Sequence, residues 1–382
     1  MDKIRPFYVM ELVARARQLE AEGRDIVHME VGEPDFPTPE TIVRAGQQAL
    51  ADGRTKYLPA TGLPELREAI AGHYKDAYGV LLDSRRVIVT PGASGALQLV
   101  LSVLIDPGQQ VLMADPGYPC NRNFVHLVGG EPVSIPVGPE TDYQLDASII
   151  EANWTDRTRA VMVASPSNPT GTLLEMEELS EIHRLVRQRG GILIVDEIYQ
   201  GLVYGHDSNT ALSVADDLFV IDSFSKYFGM TGWRLGWMIA PDAYVSTVDR
   251  LAQNIFLSAP TPAQYAALEA FTPETLAITE QRRRAFQERR DYLLPALQEL
   301  GFRIPVAPQG AFYLYADCSA LTDDSYRFAM DLLENEGVAV TPGRDFGSNR
   351  PEQHLRFAYT TGLPKLKEGV RRMGEFIAPN IR

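Results

Sequence analysis

Short apolar runs alternate with helix-like periodicities over most of this chain. Val87-Ile88-Val89, Val111-Leu112-Met113, Ala160-Val161-Met162-Val163, Ile192-Leu193-Ile194-Val195, Leu218-Phe219-Val220-Ile221 and Leu235 to Ile239 are continuous apolar stretches of strand length. Such runs have no polar face, so they predict strands buried on both sides, as in a mostly parallel sheet with helices packed over both faces. Between them, Leu97, Val100, Leu101 and Leu104 recur at helical spacing, as do Met176, Leu179, Ile182, Leu185 and Val186 ahead of Gly190-Gly191. An amphipathic helix is predicted over residues 11–22, where Leu12, Val13, Ala16 and Leu19 share a face and Gly23 follows.

The βα rhythm runs from about residue 46 to about residue 275 and then changes. A basic and acidic helix from Arg282 to Leu300, the run Ala311 to Tyr315, a helix through Leu332, the run Val338-Ala339-Val340 and an alternating stretch from His354 to Ala358 predict a smaller α+β unit. No repeat, low-complexity tract or long linker separates the two units, so the smaller must lean on the larger.

With 382 residues, 45% of them hydrophobic and 23% charged, the chain has enough apolar surface for two domains, and disordered or fibrous readings drop out. The net charge of -14 argues against a nucleic-acid surface, and the longest basic run is Arg282-Arg283-Arg284. Anionic ligands must therefore be caught by individually placed arginines. Cys120 and Cys318 show neither metal-ligand nor disulfide spacing, and no metal site is expected. The N-terminus carries Asp2, Lys3 and Arg5 with no apolar core of signal-peptide length, and no segment approaches a membrane span. The cytoplasm is the expected compartment and no membrane partner is expected.

Several apolar runs end in reactive or polar residues. Asp196 closes the run that starts at Ile192, with Tyr199 close behind; Lys226 follows Ser223-Phe224-Ser225; and Asn168 lies in Ser167-Asn168-Pro169-Thr170-Gly171. In an open α/β sheet, ligands gather outside the carboxyl ends of the strands, where these residues fall. Taken singly, Lys226 reads as a solvated loop lysine, Asp196 as a turn cap and Asn168 as a turn residue. Together with Arg234, an amine, a buried carboxylate, a phenol and an amide are what an enzyme needs to hold pyridoxal phosphate and tune its ring. An apolar strand cannot carry Asp196 cheaply without a partner, and a protonated pyridine nitrogen is such a partner. Thr90-Pro91-Gly92-Ala93-Ser94-Gly95 joins a strand to a helix start, where the amides of Ala93 and Ser94 can bind phosphate, although the loop lacks Walker spacing.

Further motifs agree: Val31-Gly32-Glu33-Pro34-Asp35-Phe36, Tyr57 ahead of Thr61-Gly62-Leu63, Asp115-Pro116-Gly117-Tyr118-Pro119, Thr231-Gly232-Trp233-Arg234-Leu235-Gly236-Trp237 and Leu355-Arg356-Phe357. In this set the chain resembles the class I/II aminotransferases of the fold-type-I pyridoxal-phosphate enzymes almost from end to end. The resemblance implies an α/β fold with a large cofactor-binding domain over residues 46–278. It also implies a discontinuous small α+β domain built from residues 1–45 and 279–382. Lys226 would carry the cofactor as an aldimine and then move the α-proton, Asp196 would pair with the pyridine nitrogen, and Tyr199 and Asn168 would hold the ring oxygen. Tyr118 would stack on the ring; Ala93, Ser94, Ser223 and Arg234 would hold the phosphate. Tyr57 would reach the phosphate of a partner subunit, which implies a homodimer with shared sites. Arg356, with Gly32 and Asn168, would grip the substrate α-carboxylate.

The implied reaction is transfer of an amino group from an L-amino acid to a 2-oxo acid in two half-reactions. A carbon–sulfur β-lyase is the alternative on the same residues, and a non-catalytic ligand-sensing module a remote one. The substrate side chain is left open. No unambiguous second arginine is present for a distal carboxylate; Arg122 is a candidate, while Phe7, Tyr8 and Phe346 would make the pocket apolar.

Overall fold

The computed structural model describes residue 4 and residues 7–378; Asp2, Lys3 and Arg5 lie outside the described residues. Its strands are β1 (Val27–Met29), β2 (Val87–Thr90), β3 (Gln110–Asp115), β4 (Glu131–Pro136), β5 (Thr158–Ala164), β6 (Ile192–Asp196), β7 (Phe219–Ser223), β8 (Gly236–Ile239), β9 (Tyr313–Asp317), β10 (Val338–Pro342) and β11 (His354–Ala358). A seven-stranded sheet has the order β2-β8-β7-β6-β5-β3-β4, and a four-stranded sheet the order β1-β10-β11-β9.

The continuous apolar runs reflect a sheet with a core on each face. Leu112, Val161, Leu193 and Val220 enter one buried cluster, while their chain neighbours Val111, Ala160, Met162, Ile194, Phe219 and Ile221 enter another. Successive side chains leave a strand on opposite faces, so a strand covered on both sides has no polar position to spare. Helix Gly92–Leu104 covers the second face, and its wholly buried Ala96, Leu99, Val100 and Leu101 make its sequence apolar all round.

From β7 across to β4 the neighbours are parallel, but β8 runs antiparallel to both β7 and β2. The link from Ser223 to Gly236 contains no crossover helix, only a short 3₁₀ turn over Thr231–Trp233, and so it can only return the chain beside its own strand. That returning link carries Lys226 and Arg234. An apolar run does not encode strand direction, which is why the sequence pattern shows β8 as a strand but not as an antiparallel one.

The small sheet is built from both chain ends. β1 lies parallel to β10, whereas β10, β11 and β9 are antiparallel neighbours. Helices Pro273–Glu299, Ser325–Glu336 and Leu363–Ile377 pack around it. The first of these starts well before the predicted Arg282, because the Thr272 side chain accepts the Thr275 N–H and Pro273 opens the helix.

The N-terminal helix spans Tyr8–Ala21 rather than 11–22. Its extra turn is capped from far along the chain: the buried Asp345 carboxylate accepts the N–H groups of Tyr8 and Val9, each at 2.8 Å. No local sequence signal could show this cap. Asp345→Ala should therefore cost about 1–2 kcal/mol of stability and speed hydrogen exchange in the first helical turn. Denaturation and exchange mass spectrometry measure both, and unchanged exchange at Tyr8 and Val9 would rule out the cap.

Candidate active site

Parallel β5, β6 and β7 end side by side, with Ala164 beside Asp196 and Asp196 beside Ile221. The loops leaving these ends meet the small sheet around a cavity of about 240 Å³. Lys226, Asp196, Tyr199, Asn168, Tyr118, Ala93, Ser94, Gly32 and Arg356 all line it. Residues read from separate motifs are thus brought to one place.

Lys226 lies in the link that returns from β7 to β8, and its Nζ donates to the Gly32 carbonyl oxygen at 2.7 Å. Burial lowers its pKa to about 8, aided by the Arg356 and Arg234 charges and opposed by those of Glu33 and Asp196. Asp196 is 6% exposed and accepts the Ile198 N–H at 3.1 Å. Burial raises its carboxyl to about 6, against the effects of that hydrogen bond and of Lys226. An acid held in this way favours a cation placed against it.

Arg356 projects from β11 and is buried. Its Nη1 donates to Asn168 Oδ1 at 3.0 Å, and its Nη2 to the Glu30 carbonyl oxygen at 2.6 Å. Its Nε is buried without a partner. The guanidinium stacks over the Tyr313 ring at 4.3 Å and the Phe346 ring at 4.8 Å. Tyr199 and Tyr313 join hydroxyls at 2.8 Å, and burial pushes the Tyr199 phenol well up. Gly32 is needed here because a Cβ would overlap the Tyr313 hydroxyl.

At the other end, helix Gly92–Leu104 begins without a side-chain cap, which leaves first-turn amides free toward the cavity, where Ala93 and Ser94 lie. Exposed Arg234 adopts the left-handed conformation at φ 54° and crosses close over Gly92, where a Cβ would stand 2.7 Å from Nη2. Gly236 lets β8 approach the same helix start, since a Cβ there would stand 2.8 Å from the Ala93 nitrogen. Ser223 Oγ donates to the Leu235 carbonyl oxygen at 3.1 Å and lies 2.9 Å from Ser225 Oγ. Neither Ser223 nor Arg234 lines the 240 Å³ cavity, and Ser223 faces a separate cavity of about 860 Å³.

The remaining expectations fall in different places. Tyr57 is 81% exposed and does not line this chain's cavity. Arg122 donates to the carbonyl oxygens of Asp345 and Phe346, each at 3.2 Å, and lines a neighbouring cavity of about 880 Å³ with Tyr8. Phe7 lines both cavities. Phe346 is buried beneath Arg356 rather than lining the 240 Å³ space.

The motif reading missed Tyr313 and Glu30. Tyr313 had a signal, since it lies within the apolar run Ala311 to Tyr315, but aromatic residues in such runs are usually plain core. Glu30 had a fainter one, a charge between Met29 and Val31.

The residues present fit pyridoxal 5′-phosphate. An uncapped helix start beside an arginine suits a phosphate, Asp196 asks for a cation, and Lys226 has an amine that burial makes available near neutral pH. Among the described residues no group of histidines, cysteines and acids could hold a metal ion, and no helix is long and apolar enough to cross a membrane.

Comparison with known proteins agrees with this geometry. A family model described as aminotransferase class I and II matches residues 24–373. The chain is similar to a valine–pyruvate aminotransferase of Mycobacterium tuberculosis, with 38% identity over 97% of this chain and 96% of the relative. It is also similar to an aspartate/prephenate aminotransferase of Thermus thermophilus, 35% identical over 98% of this chain and 97% of that one. A solved aspartate aminotransferase from Thermus thermophilus, with maleate, superposes with a TM-score of 0.92 at 35% identity, covering 98% of this chain and 97% of the other. These relatives favour amino-group transfer over the β-lyase and ligand-sensing alternatives.

In cofactor-free protein, Lys226 should react with an amine-directed reagent with a midpoint near pH 8. Peptide mass spectrometry across a pH series reads this midpoint against those of exposed lysines, near 10.4. A Lys226 midpoint as high as theirs would remove the burial effect.

Proposed function

This chain belongs to the class I and II aminotransferases, which transfer amino groups with pyridoxal 5′-phosphate, and from that premise we propose that it acts on neutral, mainly apolar L-amino acids and their 2-oxo acids. The lining of the cavity carries this reading. Beyond the polar cluster it is formed by Phe7, Val9, Met10, Val31, Leu97 and Ile198, and its cations among the described residues are Lys226 and Arg356. With Arg356 assigned to the α-carboxylate and Lys226 to proton transfer, no cation is left in the lining for a second carboxylate. The valine–pyruvate name of one relative supports the same choice.

When bound, the cofactor supplies an aldehyde that receives the amino group and a ring that accepts the electron pair left on the α-carbon. The protein's own residues have separate tasks. Ala93 and Ser94 would offer backbone amides to the phosphate, and Arg234 over Gly92 and Ser223 beside Gly236, both near this helix start though outside the cavity lining, would complete its binding. Asp196 would hold a proton on the ring nitrogen, Tyr199 and Asn168 would bond the ring oxygen, and Tyr118 would cover a ring face. Arg356, Asn168 and the backbone at Gly32 fix the α-carboxylate, which orients the α-hydrogen toward Lys226. Lys226 Nζ, with its lowered pKa, then takes that proton as a base.

The reading extends to assembly and organisation. Exposed Tyr57 supports a homodimer in which each subunit supplies it to the other's site. A large domain over 46–278 and a small one over 1–45 and 279–382 fit the strand content of the two sheets. Helices Glu40–Ala51 and Pro273–Glu299 each run through a boundary and are shared by both domains. The cytoplasm is the proposed compartment.

Mixing the cofactor-loaded protein with single L-amino acids should convert the cofactor stoichiometrically to its amine form, with L-valine and similar donors ahead of L-aspartate and L-glutamate. A 2-oxo acid should reverse the change. Visible absorbance follows both steps, and sustained release of pyruvate and ammonia without an acceptor would overturn the assignment of transfer. Lys226→Ala should abolish turnover while the protein stays folded. Arg356→Ala should raise KM for amino acids by about 30-fold or more, the scale of a lost charge-assisted pair. A wild-type KM in that variant would remove Arg356 from the carboxylate site.

A further inference from the structure

The cavity wall contains one charged side chain to which neither cofactor nor α-carboxylate assigns a task. Glu30 follows directly after β1, is fully buried and lines the same cavity as Arg356. Its place is fixed through the backbone. The Glu30 carbonyl oxygen accepts Arg356 Nη2 at 2.6 Å and Thr341 Oγ1 at 2.8 Å, and Thr341 pairs with Arg356 in the small sheet. These bonds hold the Glu30 backbone at the substrate end, beside the guanidinium.

The carboxylate itself is only half satisfied. Oε1 lies 2.7 Å from His28 Nδ1, and His28 Nε2 lies 3.2 Å from Glu20 Oε1 at the surface. Oε2 is buried and has no partner. The bond to Glu30 is the largest of the effects that raise His28 to about 9, so the ring opposite Oε1 is an imidazolium at neutral pH. A buried acid backed by a cation on one oxygen and by nothing on the other is costly to keep, and a leucine or threonine would fill this wall more cheaply.

We propose that Glu30 is a specificity residue that excludes acidic side chains from this cavity. An amino acid held by Arg356 has to place its side chain among Phe7, Val9, Met10 and Val31, beside Glu30. A distal carboxylate would there meet the unpartnered Glu30 Oε2, whose only cation, His28, lies on the other oxygen, and Arg356 would already be taken by the α-carboxylate. A neutral side chain meets no such repulsion. Glu30 thus does by exclusion what an apolar pocket alone does weakly, because an apolar pocket can also admit a carboxylate with its counter-ion or water. The inference rests on the neutral-substrate reading above and names the residue that enforces it.

The test is Glu30→Gln in the cofactor-loaded enzyme. Glutamine keeps the shape and can still hydrogen-bond His28, but it removes the charge. The quantity to read is the ratio of kcat/KM for L-glutamate to that for L-valine, with L-aspartate as a second acid. A general loss of folding or activity leaves this ratio unmoved. It should rise about tenfold or more, the scale of one removed like-charge contact in a partly shielded site, and the rise should come through KM for the acids. Glu30→Ala, checked for folding by circular dichroism, should shift the ratio in the same direction. An unchanged ratio in both variants, with wild type still preferring L-valine, would overturn the role of Glu30 and leave the substrate reading standing. A wild-type enzyme that uses L-glutamate as readily as L-valine would overturn the substrate reading and the exclusion with it.

Discussion

The guanidinium of Arg356 is the point on which the two sheets agree. A buried cation is tolerated only if its donors are met, and here they are met from both sides: Asn168 comes from the loop after β5 of the large sheet, and the Glu30 carbonyl from the end of β1 of the small one. Any shift of one sheet against the other breaks at least one of these bonds and strands a buried charge. The aromatic faces of Tyr313 and Phe346 add a second restraint on the guanidinium. What is left over is the unpartnered Nε, a donor that the protein itself does not use. Rigidity and readiness for a ligand therefore come from the same side chain.

A similar economy operates at the end of β6. Asp196 and Glu197 are adjacent, yet the alternation of side chains sends them to opposite sides. Asp196 faces the cavity with only the Ile198 N–H to satisfy it, whereas Glu197 accepts Thr210 Oγ1 and the Ala211 N–H and so secures the loop behind it. Burial raises both carboxyls, Glu197 to about 8 and Asp196 to about 6. The difference in use lies in what remains open around each. One carboxyl is consumed by the fold; the other is left for a cationic partner.

How much of this is legible in the sequence follows from the range of the contacts involved. The large sheet and the residues at its strand ends were readable, because runs such as Ile192 to Asp196 carry both the strand and its terminal acid within a few positions. The resemblance to a family then supplied roles that the residues alone left open. The first turn of the N-terminal helix was not readable, since its cap, Asp345, is more than three hundred positions away. The reversal of β8 was hidden because hydrophobicity carries no direction. Glu30 and Tyr313 were passed over because a single charge or ring in a buried strand shows its purpose only when the strand beside it is known.

That division of range also separates two functions. The groups proposed to hold the cofactor come from short stretches at consecutive strand ends, Gly92 to Ser94, Asn168, Asp196 to Tyr199 and Ser223 to Arg234, each of which folds largely by its own local pattern. The groups proposed to face the substrate side chain come from the N-terminal helix and the residues that follow β1, pinned to the far end of the chain by bonds such as Arg356 to Glu30 across 326 positions. Substitutions in the N-terminal segment can therefore reshape the substrate wall without touching the strand-end loops. Relatives of similar identity that carry valine–pyruvate and aspartate/prephenate names are what such an arrangement allows. In this chain, on the reading proposed above, selectivity is set where the two chain ends meet, at the residue that follows β1.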